Sequence, residues 1–161
     1  VRGKNMFNAT RVTTEATIVS STGGTFDSLN IFNGGTASII YVCDNIIAPE
    51  LQVSTYNNDP TVTVEDSTLF NVGDLVLGTG IPADTKVLSI TNATTIELSA
   101  STTGGDTTEP LFFHNISNII AKFHAPADTS AFHHGFGVIC RKGIKVLATD
   151  FSNLEIITIH N

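Results

Sequence analysis

Residues 71–100, NVGDLVLGTGIPADTKVLSITNATTIELSA, decide the fold class of this chain. Apolar and β-branched pairs are interrupted at short intervals by Gly-Asp, Gly-Thr-Gly, Ile-Pro and Thr-Asn, so strands of about five residues must turn back on themselves repeatedly. Neither here nor elsewhere do apolar residues recur at i, i+3, i+4 and i+7 over about eleven residues, the spacing an amphipathic helix requires. The chain is therefore expected to be all-β, with next to no helix.

On the N-terminal side of this stretch, Leu51 to Asn58 leads into the turn Asp59-Pro60 and then into TVTVEDSTLF, where Val62 and Val64 point one way. Strand-like segments follow at Asp74 to Leu77, Thr85 to Ile90 and Thr94 to Ser99. Short strands at a spacing of about ten residues predict a compact barrel or small sandwich. Ala100 to Pro110, ASTTGGDTTEP, has the composition of a linker and closes the module. Residues 55–109 thus read as a small inserted β-barrel or β-sandwich module. Residues 1–54 and 110–161 read as the two parts of an outer β-sandwich or jelly-roll-like domain.

Before the insertion, residues 10–20 (TRVTTEATIVS) read as one polar edge strand ended by Gly23 and Gly24. The runs FDSLNIF (26–32) and ASIIYVC (37–43) flank Asn33-Gly34-Gly35, a strong hairpin signal, and are expected to pair with each other. In the second run both alternating sets of side chains are substantially apolar, which predicts a central strand covered on both sides. After the insertion, strands are expected at 118–123, 131–136, 137–140, 144–148 and 154–160. The last places Leu154, Ile156, Thr158 and His160 on one face.

Only 14% of the 161 residues are charged, against about 25% in an ordinary globular domain, and Thr, Ser, Asn and Gly fill the gap. Hydroxyls and amides are buried against a neighbour more cheaply than ions, so this composition suits a large assembly. The net charge is −7, and Lys and Arg are scattered apart from Arg141, Lys142 and Lys145 in RKGIK. Nucleic acid is not an expected partner, because neutralising phosphates needs clustered positive charge; RKGIK reads as a solvated turn with its flanks. The N-terminal VRGKNMFNAT has no apolar run of signal-peptide length, and no run of about 18 apolar residues occurs, so no membrane is expected either. Cys43 and Cys140 lie far apart among apolar neighbours and read as buried small hydrophobes, not a disulfide.

The reactive set is limited to five histidines: His114, His124, His133, His134 and His160. Adjacent His133 and His134 in a strand point to opposite faces and cannot chelate as an i, i+4 pair on a helix does. All five read as partly exposed strand and loop residues. No G-x-S-x-G elbow occurs, and neither cysteine has an electropositive neighbour to favour its thiolate. Gly78-Thr79-Gly80 lacks the Lys-Ser/Thr and the helix of a phosphate loop. Asp59, Asp66, Asp74, Asp84, Asp106 and Asp150 sit at turn signals, where carboxylates bond the local backbone. No catalytic, cofactor-binding or metal-ligating residue is assigned, and neither enzymatic activity nor a cofactor is expected.

The pattern F-x-V-G-D-x-V-x-G-T-G-I-P-x-x-T-x-V-x-S-I…T-I-x-L-S, running from Phe70 to Ser99, resembles a small β-module that recurs in tail, fibre and head-surface proteins of tailed bacteriophages. The outer pieces FDSLNIFNGGTASIIYVCD, NIIAKFHAPADTSAFHH, GVICRKGIKVLATD and NLEIITIH are similar to small β-sandwich proteins encoded near phage capsid and tail genes. These resemblances imply a virion structural protein, in the first place a head decoration or cement protein bound to the outside of the capsid. Its partners would be the major capsid protein or other virion proteins. It would be a homo-oligomer, a trimer favoured, assembled in the host cytoplasm. A tail-fibre, spike or adaptor protein used in host attachment is the alternative. A secreted sugar-binding or hydrolase domain is a third reading, weakened because the chain has no Trp for sugar stacking.

Overall fold

The computed structural model describes residues 8–12, 16–22, 24–149 and 153–160. Its strands are β1 (Asn8–Val12), β2 (Ala16–Ser20), β3 (Gly24–Asn33), β4 (Ser38–Cys43), β5 (Glu50–Asn57), β6 (Thr61–Thr63), β7 (Leu75–Leu77) and β8 (Val87–Asn92). They continue with β9 (Thr95–Leu98), β10 (Asp106–His114), β11 (Ile119–Ala125), β12 (Thr129–His133), β13 (Val138–Cys140), β14 (Ile144–Ala148) and β15 (Leu154–His160). The protein is all-β, and its described residues form 15 strands in three antiparallel sheets. Among the described residues the only helical turn is a 3-10 turn at Ser67–Leu69, which Asp66 caps by accepting the Thr68 N–H. Backbone contacts divide the chain into two units, residues 1–46 with 117–161, and residues 47–116.

The first unit is a two-sheet sandwich. One sheet has the order β1-β15-β3-β12, with β13 also paired to β3, and the other has the order β11-β4-β14-β2. Val12, Phe26, Ile31 and Ile156 from the first sheet form one buried cluster with Ile40, Val42, Val146 and Ala148 from the second. Facing sheets that share one apolar layer are the defining packing of a β-sandwich. Period-2 patterning is carried through in β15, where Leu154, Ile156, Thr158 and His160 are buried and Glu155, Ile157 and Ile159 are half-buried. β4 lies between β11 and β14, and its Ile40, Tyr41, Val42 and Cys43 are all buried, so both faces of this central strand are covered.

Two strand expectations in this unit are corrected. β3 and β4 belong to different sheets and do not pair, so Asn33-Gly34-Gly35 turns an arch between sheets instead of a hairpin. A two-residue type I′ hairpin needs positive φ at both central residues, and neither Asn33 nor Gly34 has it. Asn33 is instead the buried last residue of β3. Its side-chain amide donates to Ala125 O at 2.8 Å, Pro126 O at 3.0 Å and Thr36 O at 2.8 Å, while its Oδ1 accepts the Gly35 N–H at 3.0 Å. Residues 10–20 likewise hold two strands, β1 at the edge of one sheet beside β15 and β2 at the edge of the other beside β14. Residues 13–15 and Gly23 lie outside the described residues, as do residues 1–7 and Asp150.

In the second unit a single sheet of order β7-β10-β5-β6-β9-β8 curls into a half-barrel. A bridge between Leu75 of β7 and Lys86, just ahead of β8, joins its two sides. Tyr56, Val62, Val64, Phe70, Val76, Ile96, Leu98, Leu111 and Phe113 fill it, with Phe70 and Phe113 stacked at a centroid distance of 4.1 Å. β10 is its spine, paired to β5 from Asp106↔Asn57 to Phe113↔Glu50 and to β7 over Phe112 to His114. The run Ala100 to Pro110 is therefore no linker: β10 begins at Asp106, and buried Thr102 donates its hydroxyl to Asp59 O at 3.0 Å. Threonine, β-branched, fits a pleated strand as well as it fits a loop, so composition alone misreads the run. Because the β5–β10 ladder reaches Glu50 and Phe113, this unit extends beyond residues 55 and 109 on both sides. Where the chain leaves the sandwich and returns, Asp44 N donates to Asn118 O at 2.9 Å and the Asn45 amide to Ser117 O at 2.7 Å.

Candidate functional site

The five histidines are dispersed over the fold. His114 ends β10 and is buried, with its ring stacked beside Phe112. His124 is exposed on β11. His133 tilts against Phe123 at 4.7 Å, whereas its neighbour His134 stacks on Phe132 at 5.3 Å, as opposite faces of a strand dictate. His160 is buried at the end of β15 and shares a 3.0 Å hydrogen bond with the Thr10 hydroxyl of β1. Burial lowers its pKa below the ordinary 6.5 because the charged imidazolium would be desolvated. His114 and His160 thus depart from the expected partial exposure: both occupy strand positions whose side chains are covered. Among the described residues no three His, Cys, Asp or Glu side chains gather as metal ligands would.

Cys43 and Cys140 are buried free thiols. Burial pushes the Cys43 pKa up to about 11 despite the pull of nearby Lys145, and burial followed by the Asp44 charge raises that of Cys140. Neither is a thiolate near neutral pH. Lys145 corrects the view of RKGIK as a wholly solvated turn: it pairs with Cys43 across β14 and β4 and is buried.

Arg141 and Lys142 are exposed, and their turn is held by Asp44. The Asp44 carboxylate accepts the backbone N–H of Arg141 at 3.1 Å, Lys142 at 2.7 Å and Gly143 at 3.2 Å. These bonds, that from Arg141 foremost, hold its pKa below the usual carboxylate value. Gly143 has φ of +146°, and a Cβ there would meet Ile46 and, at 2.6 Å, the Ser20 carbonyl oxygen, so the turn admits only glycine. Spacing could not reveal this device, since Asp44 lies 97 residues from Arg141.

The turn aspartates within the second unit bond their local backbone: Asp59 accepts the Thr61 N–H at 2.9 Å, Asp66 the Thr68 N–H at 2.9 Å and Asp74 the Asn71 N–H at 2.8 Å. Asp84 faces Lys86 at 3.5 Å, and Asp106 lies in β10 instead of a turn. On the first unit a shallow cleft of about 480 Å³ is lined by Phe32, Asn33, Asp128, Ser130, Asn153 and Glu155, among others. Its Glu155 already binds Arg11 at 2.7 Å and its Asn33 amide is committed to backbone carbonyls, so the Phe32 ring, the Asp128 carboxylate and the Ser130 and Asn153 side chains are its remaining recognition groups. An open surface of this kind supports contact with a partner better than enclosure of a substrate.

Exposed apolar side chains are the more extensive feature. On the outward face of the half-barrel, Leu51 stands opposite Phe112 and Val53 opposite Pro110, with Leu51 and Val53 54% and 50% exposed. The next rung is Thr55 with Thr108, whose hydroxyls bond each other at 3.2 Å. These three rungs carry no charge. On the sandwich, Ile139 is 72% exposed beside Arg141 and Lys142. Alternation within β5 and β10 could have located the half-barrel face, had the β10 sequence not read as a linker. No protein-family model, no curated protein and no solved structure matches the chain.

Proposed function

We propose that this protein is a structural component of a tailed-phage virion: a capsid decoration protein on the outer surface of the head, acting as a homo-oligomer with other virion proteins as partners. It has no enzymatic activity and needs no cofactor. The observation that carries the reading is the stretch from Phe70 to Ser99, because the positions on which its resemblance to virion β-modules rests all serve construction. Gly73 N donates to Val87 O at 2.8 Å, and Asp74 closes its own turn onto Asn71. Gly80 adopts φ of +70° and accepts the Thr103 N–H at 2.8 Å. Thr85 donates its hydroxyl to Pro82 O at 2.6 Å. A motif whose fixed residues hold turns, as these do, or fill the core, as Phe70, Val76, Ile96 and Leu98 do, belongs to a building part.

Decoration would bury hydroxyl-rich and apolar surface against neighbouring capsid subunits, and the edge strands β2 and β11 offer a ladder to which a capsid strand can add. A closed trimer suits the threefold positions of a capsid lattice. The test is electron microscopy of particles made with and without the gene, together with mass spectrometry of the purified virions. Density on the head that vanishes with the gene is the expected result. Density at the tail assigns the protein to fibre, spike or adaptor instead, and its absence from particles removes the virion reading.

A further inference from the structure

The two units differ sharply in charge. Residues 47–116 hold nine of the fifteen carboxylates and one of the eight lysines and arginines, so this unit carries a net charge of −8 and the remainder of the chain +1. Its one cation, Lys86, lies 3.5 Å from Asp84. The uncharged Leu51, Val53 and Pro110 face therefore sits on a body that repels a second copy of itself and attracts a cationic apolar surface.

Such a surface exists elsewhere on the same chain. Ile139 projects from the three-residue strand β13, and Arg141 and Lys142 follow it in the turn that Asp44 fixes through three backbone hydrogen bonds. With that backbone held by Asp44 and by Gly143, docking would order side chains only, which keeps the entropic cost low. We propose that copies of this chain associate head to tail, the Ile139, Arg141 and Lys142 knob of one copy seating on the Leu51, Val53 and Pro110 face of the next. The contact is heterologous: a copy joined through its knob still offers its face, and a copy joined through its face still offers its knob, so the contact can repeat into a ring or an open filament. It names the contact for the oligomer in the reading above, yet rests on copies of this chain alone, so its failure in solution leaves the assignment to particles to be judged separately.

Sedimentation velocity of the full chain tests it. The wild type is expected to show a mass that rises with concentration at about 20 mM salt and falls at about 500 mM, where the charge attraction is screened. Arg141→Glu/Lys142→Glu removes the knob and Leu51→Ser/Val53→Ser removes the face, and each change should weaken association by about tenfold or more. All four side chains are exposed, so the variants should fold, which far-UV circular dichroism and melting like the wild type's are to verify. Ile139→Ser is an independent knob variant with the same expected effect. The deciding arm is the equimolar mixture of the knob and face variants. One copy keeps its face and the other its knob, so the mixture should form a dimer and stop there. A wild type that is monomeric at low salt, variants that associate like the wild type, or a mixture that stays monomeric would each overturn the proposal.

Discussion

Asn33 shows how one side chain can redirect a chain. Three carbonyl oxygens from two segments converge on its amide, and a hydrophobic replacement strands them in a buried place. Asn33→Ala should lower unfolding stability by about 2–4 kcal/mol, read from urea midpoints, and the near-isosteric Asn33→Asp should cost more by setting a carboxylate among those oxygens. The Asn-Gly-Gly signal was legible as a turn, but its use was not. Whether Asn33 bends backwards into a hairpin or reaches forward to Ala125 depends on a partner 92 residues away. His160 was legible as one face of β15, though its burial was not. Because burial depresses its pKa, the unfolded chain binds the proton more readily. The stability this neutral ring contributes is present above pH 6.5 and is lost as the pH falls below that value. His160→Gln should flatten the loss of the urea midpoint between about pH 7 and pH 5. An unchanged profile would place the transition in other groups.

At the scale of elements, the short strands β7 to β9 were read from their turn residues within a residue or two, because Gly, Pro and Asn mark their ends by local backbone geometry. β10 was missed entirely, its first half because Asp106 to Glu109 is polar and reads as linker, and its pairing with β5 is a non-local fact. Its second half carries Leu111 and Phe113 into a cluster separate from that of the sandwich. Phe113→Ala should therefore destabilise the half-barrel alone, by about 3–5 kcal/mol. Calorimetry should then show two transitions, the upper one retained at the wild-type temperature. A single lowered transition would mean that the two cores melt as one. Neither the covered outer side of β4 nor the exposed rungs of β5 and β10 needed a motif to exist, only alternation; what alternation leaves unsaid is which side meets water.

For the whole molecule, the hydrogen bonds from Asp44 to Asn118 and from Asn45 to Ser117 hold together the two places where the chain leaves and re-enters the sandwich. Replacing residues 47–116 with two or three glycines, a loop of about the length that joins adjacent strands, should leave a folded β-sandwich with a cooperative melt. An aggregated product would mean that the sandwich draws on the insertion for its core. The order of strands has a further consequence, for synthesis. β15 fills the place between β1 and β3, yet Thr10 and its partner His160 are 150 residues apart in sequence. While the chain is growing, β3 lacks one of its flanking strands until β15 emerges, whereas the contiguous half-barrel already has everything it needs. A nascent chain halted by a ribosome stall after residue 150 should thus hold a finished half-barrel beside an open sheet, the interval in which this protein most needs a chaperone.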